Sequence, residues 1–182
     1  DTATTEIYTR ARHDARPIYG PRAALGLAIV IAVVAIDQIA KLIAEAHLPL
    51  GAAIDVLPIL TLYRVHNTGI AFSFLAGSGI GLVFLTLAIT VVVVIFWLRS
   101  PDGGRLAAIG FALILGGALG NLVDRLRLGY VIDFLLLHFG DRTLFVFNLA
   151  DAALSLGPAL LLLVYLWPEK SGPEKPGPKP AA

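Results

Sequence analysis

Gly79-Ile80-Gly81-Leu82-Val83-Phe84-Leu85-Thr86-Leu87-Ala88-Ile89-Thr90-Val91-Val92-Val93-Val94-Ile95-Phe96-Trp97-Leu98 is a run of twenty residues without a charged side chain. A helix of about 20 residues rises about 30 Å, the thickness of a bilayer's hydrocarbon core. Three further stretches read the same way: 23–46, 106–122 and 150–167. The third stretch is short and extends through Asn121 to Asp124. Trp97, Tyr165 and Trp167 stand at span ends as interfacial anchors do, and Pro101 and Pro168 follow as stops. Pro158 lies inside the last span, where a kink is expected. The expected fold class is therefore a membrane α-helical protein of four transmembrane helices.

Composition agrees. Of 182 residues, 57% are hydrophobic and only 15% charged, too little polar surface for a soluble domain of this size. The net charge of +1 offers no field for nucleic acid. With no cysteine, disulfides, thiolate metal sites and a cysteine nucleophile are excluded.

Four spans place both termini on one side. Arg10, Arg12, Arg16, Arg22, Arg99, Arg105, Lys170, Lys175 and Lys179 share that side, whereas Arg64, Arg125, Arg127 and Arg142 lie opposite and Lys41 is inside the first span. The positive-inside rule then puts the termini in the cytoplasm and the loops 48–78 and 125–147 outside. Residues 1–22 read as a polar cytoplasmic segment, 23–167 as the membrane domain, and the Pro/Lys/Glu-rich 168–182 as a disordered cytoplasmic tail. A rival reading takes Ala44-Glu45-Ala46 as a signal-peptide cleavage site; Asp37, Gln38 and Lys41 in the preceding run argue against it.

Both outer loops read as β structure. The segment 59–65, bounded by Pro58 and Asn67-Thr68-Gly69, is a strand followed by a turn. Ala71-Phe72-Ser73-Phe74-Leu75 is too short to span and reads as an interfacial helix. The segments 131–138 and 143–147 read as a hairpin about Gly140-Asp141, with a type II′ turn. That turn places Phe139 opposite Arg142 and, in register, Asp133 opposite Asn148. A small outward-facing sheet, or β-cradle, is expected.

Charged and amide residues near a membrane need a reason. Asp37 and Lys41, four apart on one helical face, read first as a structural ion pair, with headgroup binding as the alternative. Gln38, off that face, reads as glue between helices. Asn121, Asp124 and Arg125 stand at i, i+3 and i+4 and can meet; Asp124 reads as part of a network holding the loop, or as catalytic. Asn148 fits the N-cap of the last helix. Asp151 lies in its first turn, where it either caps or reacts. Asp133, between Ile132 and Phe134, has no capping role, and desolvation favours its neutral acid. Two acids in unlike surroundings suit acid–base chemistry. His13, His47, His66 and His138 lie outside the spans, which disfavours haem ligation in the bundle, and Ser155 reads as bonded to its own helix.

Five blocks occur in order: Asp37-Gln38-Ile39-Ala40-Lys41; Asn67-Thr68-Gly69-Ile70-Ala71-Phe72; Gly116-Gly117-Ala118-Leu119-Gly120-Asn121-Leu122-Val123-Asp124-Arg125; Val131-Ile132-Asp133-Phe134; and Phe147-Asn148-Leu149-Ala150-Asp151. Together they resemble lipoprotein signal peptidase, the type II signal peptidase of bacteria, over about residues 23–167. The resemblance implies four transmembrane helices with an outward β-cradle and a short surface helix. It implies an aspartyl endopeptidase of the inner membrane that removes signal peptides from prolipoproteins just before a diacylglyceryl-modified cysteine, and a target of the cyclic peptide globomycin. The family's catalytic pair falls on Asp133 and Asp151. Its supporting positions fall on Asp37, Lys41, Asn67, Gly69, Asn121, Asp124, Arg125, Asn148 and Ala150. The implied partners are lipid-modified prolipoproteins and membrane phospholipid, the implied unit is a monomer, and no metal or other cofactor is called for. General chemistry then makes Asp151, by its helix position, the base on a water and Asp133 the acid. A transporter with a carboxylate relay and a membrane scaffold are the rival classes; a relay should cross the bilayer, whereas these polar groups gather at one face.

Overall fold

The computed structural model describes residues 21–69, 79–100 and 104–166. The expected interfacial helix at 71–75, the C-terminal tail and all but the end of the N-terminal segment lie outside these residues. Four helices are long and apolar enough to cross a membrane. They are α1 (Pro21–His47), α2 (Gly79–Arg99), α3 (Gly104–Leu128) and α4 (Leu149–Leu166). Between them lie β1 (Ala53–Leu57), β2 (Leu60–Asn67), β3 (Val131–Phe139) and β4 (Arg142–Phe147).

Helix α3 is longer than its apolar core suggests, because it continues through Asp124 and Arg125 to Leu128. It is the central helix: α1, α2 and α4 all pack on it, and most of it is buried. The other three helices expose apolar side chains such as Leu27, Ile31, Phe84 and Leu163, the surface expected where lipid is the solvent. Close approach to α3 depends on small residues. A Cβ on Gly117 would collide with the Ala150 carbonyl, and one on Gly120 would lie 2.8 Å from Asp37 Oδ2. Helix α4 runs through Pro158 without a break. Trp97 stacks against Phe111 with ring centroids 6.4 Å apart and fills the space over Gly26, so this residue packs between helices as well as ending a span. His47, expected outside the spans, is the last residue of α1 and bonds the Ile43 carbonyl.

The four strands form one antiparallel sheet in the order β1-β2-β3-β4. The predicted strand at 59–65 is β2, and the predicted hairpin is β3–β4, with Phe139 opposite Arg142 and Gly140 at φ +56°. The predicted register beyond the turn needs correction. A bulge between Leu137 and His138 shifts the pairing by one residue, so Leu135 faces Phe147 and the ladder does not place Asp133 opposite Asn148. Strand β1 has no counterpart in the sequence reading. A second bulge, between Leu62 and Val65, brings Val65 opposite Asp133. Gly129, at φ +80°, turns the chain from α3 straight into β3.

Candidate active site

The site is assembled where the ends of β2, β3, α3 and the start of α4 converge. Asn148 forms its centre. It caps α4 as expected: its Oδ1 accepts the Asp151 N–H at 2.9 Å, and its own N–H donates to Asp151 Oδ2 at 3.2 Å. This reciprocal pair is a capping box with Asp in the usual Glu position. The other end of the Asn148 side chain turns to the sheet. Its Nδ2 donates to Asp133 Oδ1 at 2.7 Å and to Asn121 Oδ1 at 3.1 Å. The two aspartates therefore share a hydrogen-bonding partner, reached by a helix cap and not by strand register.

Each carboxylate has one further amide donor. Asn67 Nδ2 donates to Asp133 Oδ2 at 2.9 Å, and Asn121 Nδ2 donates to Asp151 Oδ1 at 2.7 Å. Neither aspartate makes an ion pair among the described residues. Burial, and after it the charge on Asp151, push the Asp133 carboxyl up to about 7, against the opposing pull of Asn67 and Asn148. A cavity of about 1050 Å³ is lined by both aspartates together with Asn67, Asn121 and Arg125. Its apolar wall comes from Leu82, Leu85 and Ile89 of α2, Leu154 of α4, and Phe145 and Phe147 of β4.

Beside this open site lies a closed one. Lys41 Nζ sits 2.7 Å from Asp37 Oδ2 and 2.9 Å from Asp124 Oδ2, and donates to Asn121 Oδ1 at 3.0 Å. Asp37 and Lys41 are thus the ion pair expected from their spacing, extended by Asp124. The remaining carboxylate oxygens take N–H donors: Asp37 Oδ1 accepts from Ala150 N at 2.9 Å, and Asp124 Oδ1 accepts from Gln38 Nε2 at 2.8 Å. Asp124 Oδ2 also accepts from Ile132 N at 3.2 Å, which fixes the start of β3 as the loop-holding reading required. Asp37, Lys41 and Asp124 are all at most 1% exposed, and none lines the cavity. Arg125 does not join this network through Asp124; its Nη2 donates to the Gly69 carbonyl at 2.9 Å, while Gly69 N donates to Asn67 Oδ1 at 2.9 Å. Arg125 and Gly69 thereby hold the loop that orients Asn67.

All the singled-out residues meet in these two adjoining clusters. Ala150 contributes its backbone N–H and its small side chain, which leaves room for Gly117 and Gly120. Gln38 is the expected glue between helices, bridging α1 to Asp124 and to the Gly120 carbonyl of α3, whereas sequence reasoning passed over the cavity wall of Phe145 and Phe147. The Phe-x-Phe alternation in β4 was the available signal for that wall. Ser155 Oγ donates to the Asp151 carbonyl, so it is occupied by its own helix.

The family model described as "Signal peptidase (SPase) II" matches residues 29–167. The chain is 45% identical over 140 residues to a lipoprotein signal peptidase of Sinorhizobium fredii, covering 76% of this chain and 84% of the relative. It is 42% identical over 151 residues to one of Mesorhizobium japonicum, covering 81% and 90%. Two solved structures, titled as a bacterial membrane enzyme at 2.3 Å and at 1.9 Å resolution, superpose with TM-scores of 0.73 and 0.68. Both are 28% identical; they cover 84% and 81% of this chain, and each is itself covered to 95%. With most of its length matched and its buried polar residues gathered in one place, the chain belongs to the signal peptidase II family.

Proposed function

We propose that this chain is an intramembrane aspartyl endopeptidase that removes signal peptides from diacylglyceryl-modified prolipoproteins, cutting just before the lipidated cysteine. The observation that carries the mechanism is that Asp133 and Asp151 line one cavity, share Asn148, and make no ion pair among the described residues. Asp151 is the base. Its oxygens accept from Asn121 and from the Asn148 backbone at a helix start, where the macrodipole favours negative charge. Asp133, whose carboxyl titrates at about 7, is the acid. A water loses a proton to Asp151 and its oxygen bonds to the scissile carbonyl carbon, while Asp133 gives its proton to the carbonyl oxygen. The tetrahedral intermediate then collapses. The C–N bond breaks, the proton on Asp151 passes to the leaving nitrogen, and Asp133 regains a proton from the hydroxyl. Neither step requires both carboxyls to be ionised at once.

In this reading residues 23–167 are the peptidase unit, between cytoplasmic segments 1–22 and 168–182. The protein sits as a monomer in the bacterial inner membrane with the site near the outer face. Its partners are lipid-modified prolipoproteins and membrane phospholipid, and globomycin is an expected inhibitor. The apolar wall between α2 and α4 suits a substrate that arrives from within the bilayer.

The test is cleavage of a diacylglyceryl-modified prolipoprotein by wild type, Asp133→Asn and Asp151→Asn, with helicity and thermal unfolding measured alongside. Both variants should stay folded and lose activity. Full cleavage by either one overturns the dyad; full cleavage by both, with Asp124→Asn inactive, moves the chemistry to the closed cluster.

A further inference from the structure

The helical walls of the cavity carry two hydroxyl groups that the mechanism leaves unused. On α2 the cavity is lined by Leu82, Leu85, Thr86 and Ile89, the i, i+3, i+4, i+7 stripe of one helical face. Thr86 is the polar member of that stripe. On α4, Ser155 stands four residues after Asp151, on the same face and about 6 Å further along the helix. Helices α2 and α4 both pack on α3 and make little contact with each other, and Ala118 and Asn121 of α3 line the space between them. Thr86 and Ser155 therefore belong to two walls of one cleft, each about two turns from the start of its helix.

Both hydroxyl protons are committed. Thr86 Oγ1 donates to the Leu82 carbonyl at 2.8 Å, and Ser155 Oγ donates to the Asp151 carbonyl at 2.9 Å. Bonds of this kind to the preceding turn are ordinary in helices. Their consequence is chemical: with its hydrogen engaged, each oxygen can only accept. The other side-chain oxygens that line the cavity, among the described residues, belong to Asn67, Asn121, Asp133 and Asp151. Asn67 Oδ1 already accepts from Gly69 N, and Asn121 Oδ1 from Lys41 and Asn148. The two carboxyls hold amide and backbone donors and, on the proposed function, carry the reaction. Thr86 and Ser155 are the side-chain oxygens left to receive a donor from outside.

A peptide cut in this cleft brings donors that need such acceptors. A carbonyl inside a helix is bonded to its own chain, so the residues around a scissile bond must be extended before water can attack. Their N–H groups then lose their helical partners, and between walls of leucine and isoleucine an unpaired N–H is costly. Successive N–H groups of an extended strand point to opposite sides, which matches one acceptor on each wall. We propose that Thr86 Oγ1 and Ser155 Oγ accept backbone N–H groups from two adjacent residues of the signal-peptide segment just before the bond that is cut. This inference rests on the peptidase reading and adds to it how the substrate backbone is held. It also carries a specificity: proline, which has no N–H, is disfavoured at those two substrate positions.

The test pairs enzyme variants with substrates that lack one donor. Synthetic diacylglyceryl-modified prolipoprotein peptides, each with one backbone N–H before the modified cysteine replaced by an ester oxygen, are cleaved by the full chain in micelles, and the products are identified by mass. The enzymes are wild type, Thr86→Val, Ser155→Ala and Thr90→Val. Thr90 is the control, because its Oγ1 makes the same bond to the Thr86 carbonyl at 2.7 Å but does not line the cavity. Thr86→Val and Ser155→Ala should each lower kcat/KM on the all-amide peptide by about 3–10-fold, the worth of one neutral hydrogen bond, with the unfolding midpoint unchanged. Thr90→Val should cleave as wild type does. In wild type an ester at either of two adjacent positions should cost a similar factor; each variant should be blind to one of these esters and sensitive to the other. Ester penalties that persist undiminished in both variants place the acceptors elsewhere, as on the free edge of β4, and overturn the proposal. So do wild-type rates for Thr86→Val and Ser155→Ala, or a loss in Thr90→Val equal to that in Thr86→Val. A wild-type chain that cleaves none of the peptides instead refutes the peptidase reading, and this inference falls with it.

Discussion

The two adjoining polar clusters use the same carboxylate chemistry to opposite ends. In the closed cluster, Asp37 and Asp124 flank the Lys41 ammonium, every oxygen has a donor, and the cavity does not reach them. In the open cluster, among the described residues, Asp133 and Asp151 receive only amide and backbone N–H donors, and they face a cavity. A buried carboxylate paired with a cation is fixed in charge. One held by neutral donors can gain and lose a proton at modest cost. The contrast separates carboxylates locked in an ion pair from those proposed to react, and Asn121 joins them: its oxygen accepts from Lys41 and its nitrogen donates to Asp151.

The largest expected effect breaks the open cluster. Asp133→Asn or Asp151→Asn should lower kcat/KM for lipoprotein cleavage by about 10⁴-fold or more, and the double variant should be little worse than either single, as for residues acting as a unit. Stability should not fall with activity. In the closed cluster the expectation reverses. Lys41→Met leaves two buried carboxylates without their cation and should cost about 3–5 kcal/mol in thermal or denaturant unfolding in micelles. A Lys41→Met protein as stable as wild type would erase the distinction between the clusters.

Two smaller effects sharpen it. Gly120→Ala pushes a methyl group against Asp37 Oδ2 and the Ala150 side chain and should destabilise by about 1–3 kcal/mol, read as a lowered unfolding midpoint. The pH dependence isolates Asp133. Its carboxyl titrates at about 7 in the folded protein against an ordinary value of 3.8, so the fold favours the protonated form. That contribution to stability is complete below 3.8 and is lost as the pH rises through about 7. Cleavage should decline over the same upper range as the acid is consumed. Asn67→Ala removes a donor that pulls the carboxyl down, so the declining limb should move to higher pH; a limb that stays put would detach Asn67 from Asp133.

The helices were legible because lipid imposes a length and a composition, and both survive as a plain pattern in residues 79–98 and the other three runs. The caps were legible too: Asn148 three residues before Asp151 is a local signal, and the structure makes both bonds of the box. Register was only half legible. A turn fixes the first pairs, Phe139 with Arg142 and His138 with Thr143, but the bulge after them leaves no mark in residue type, and one residue of slip moved Asp133 off its predicted partner. Strand β1 was missed because its five residues are exposed and interrupted by Asp55, so they lack the alternation of a half-buried strand. The bond from Lys41 to Asn121 joins residues eighty apart and depends on how closely α1 and α3 approach, which spacing along the chain does not encode. The family resemblance named most of the residues in both clusters, but not which carboxylates are neutralised and which are exposed to the cavity.

Asn148 has a consequence for how the site meets its substrate. One amide group starts a helix with its oxygen and grips Asp133 with its nitrogen, so the donors around both carboxylates take their places when α4 folds. On the proposed mechanism the dipoles are oriented before any peptide arrives, and little reorganisation energy is left to be supplied during the reaction. The same coupling makes the site indivisible: fraying the first turn of α4 would release Asp151 and Asp133 together.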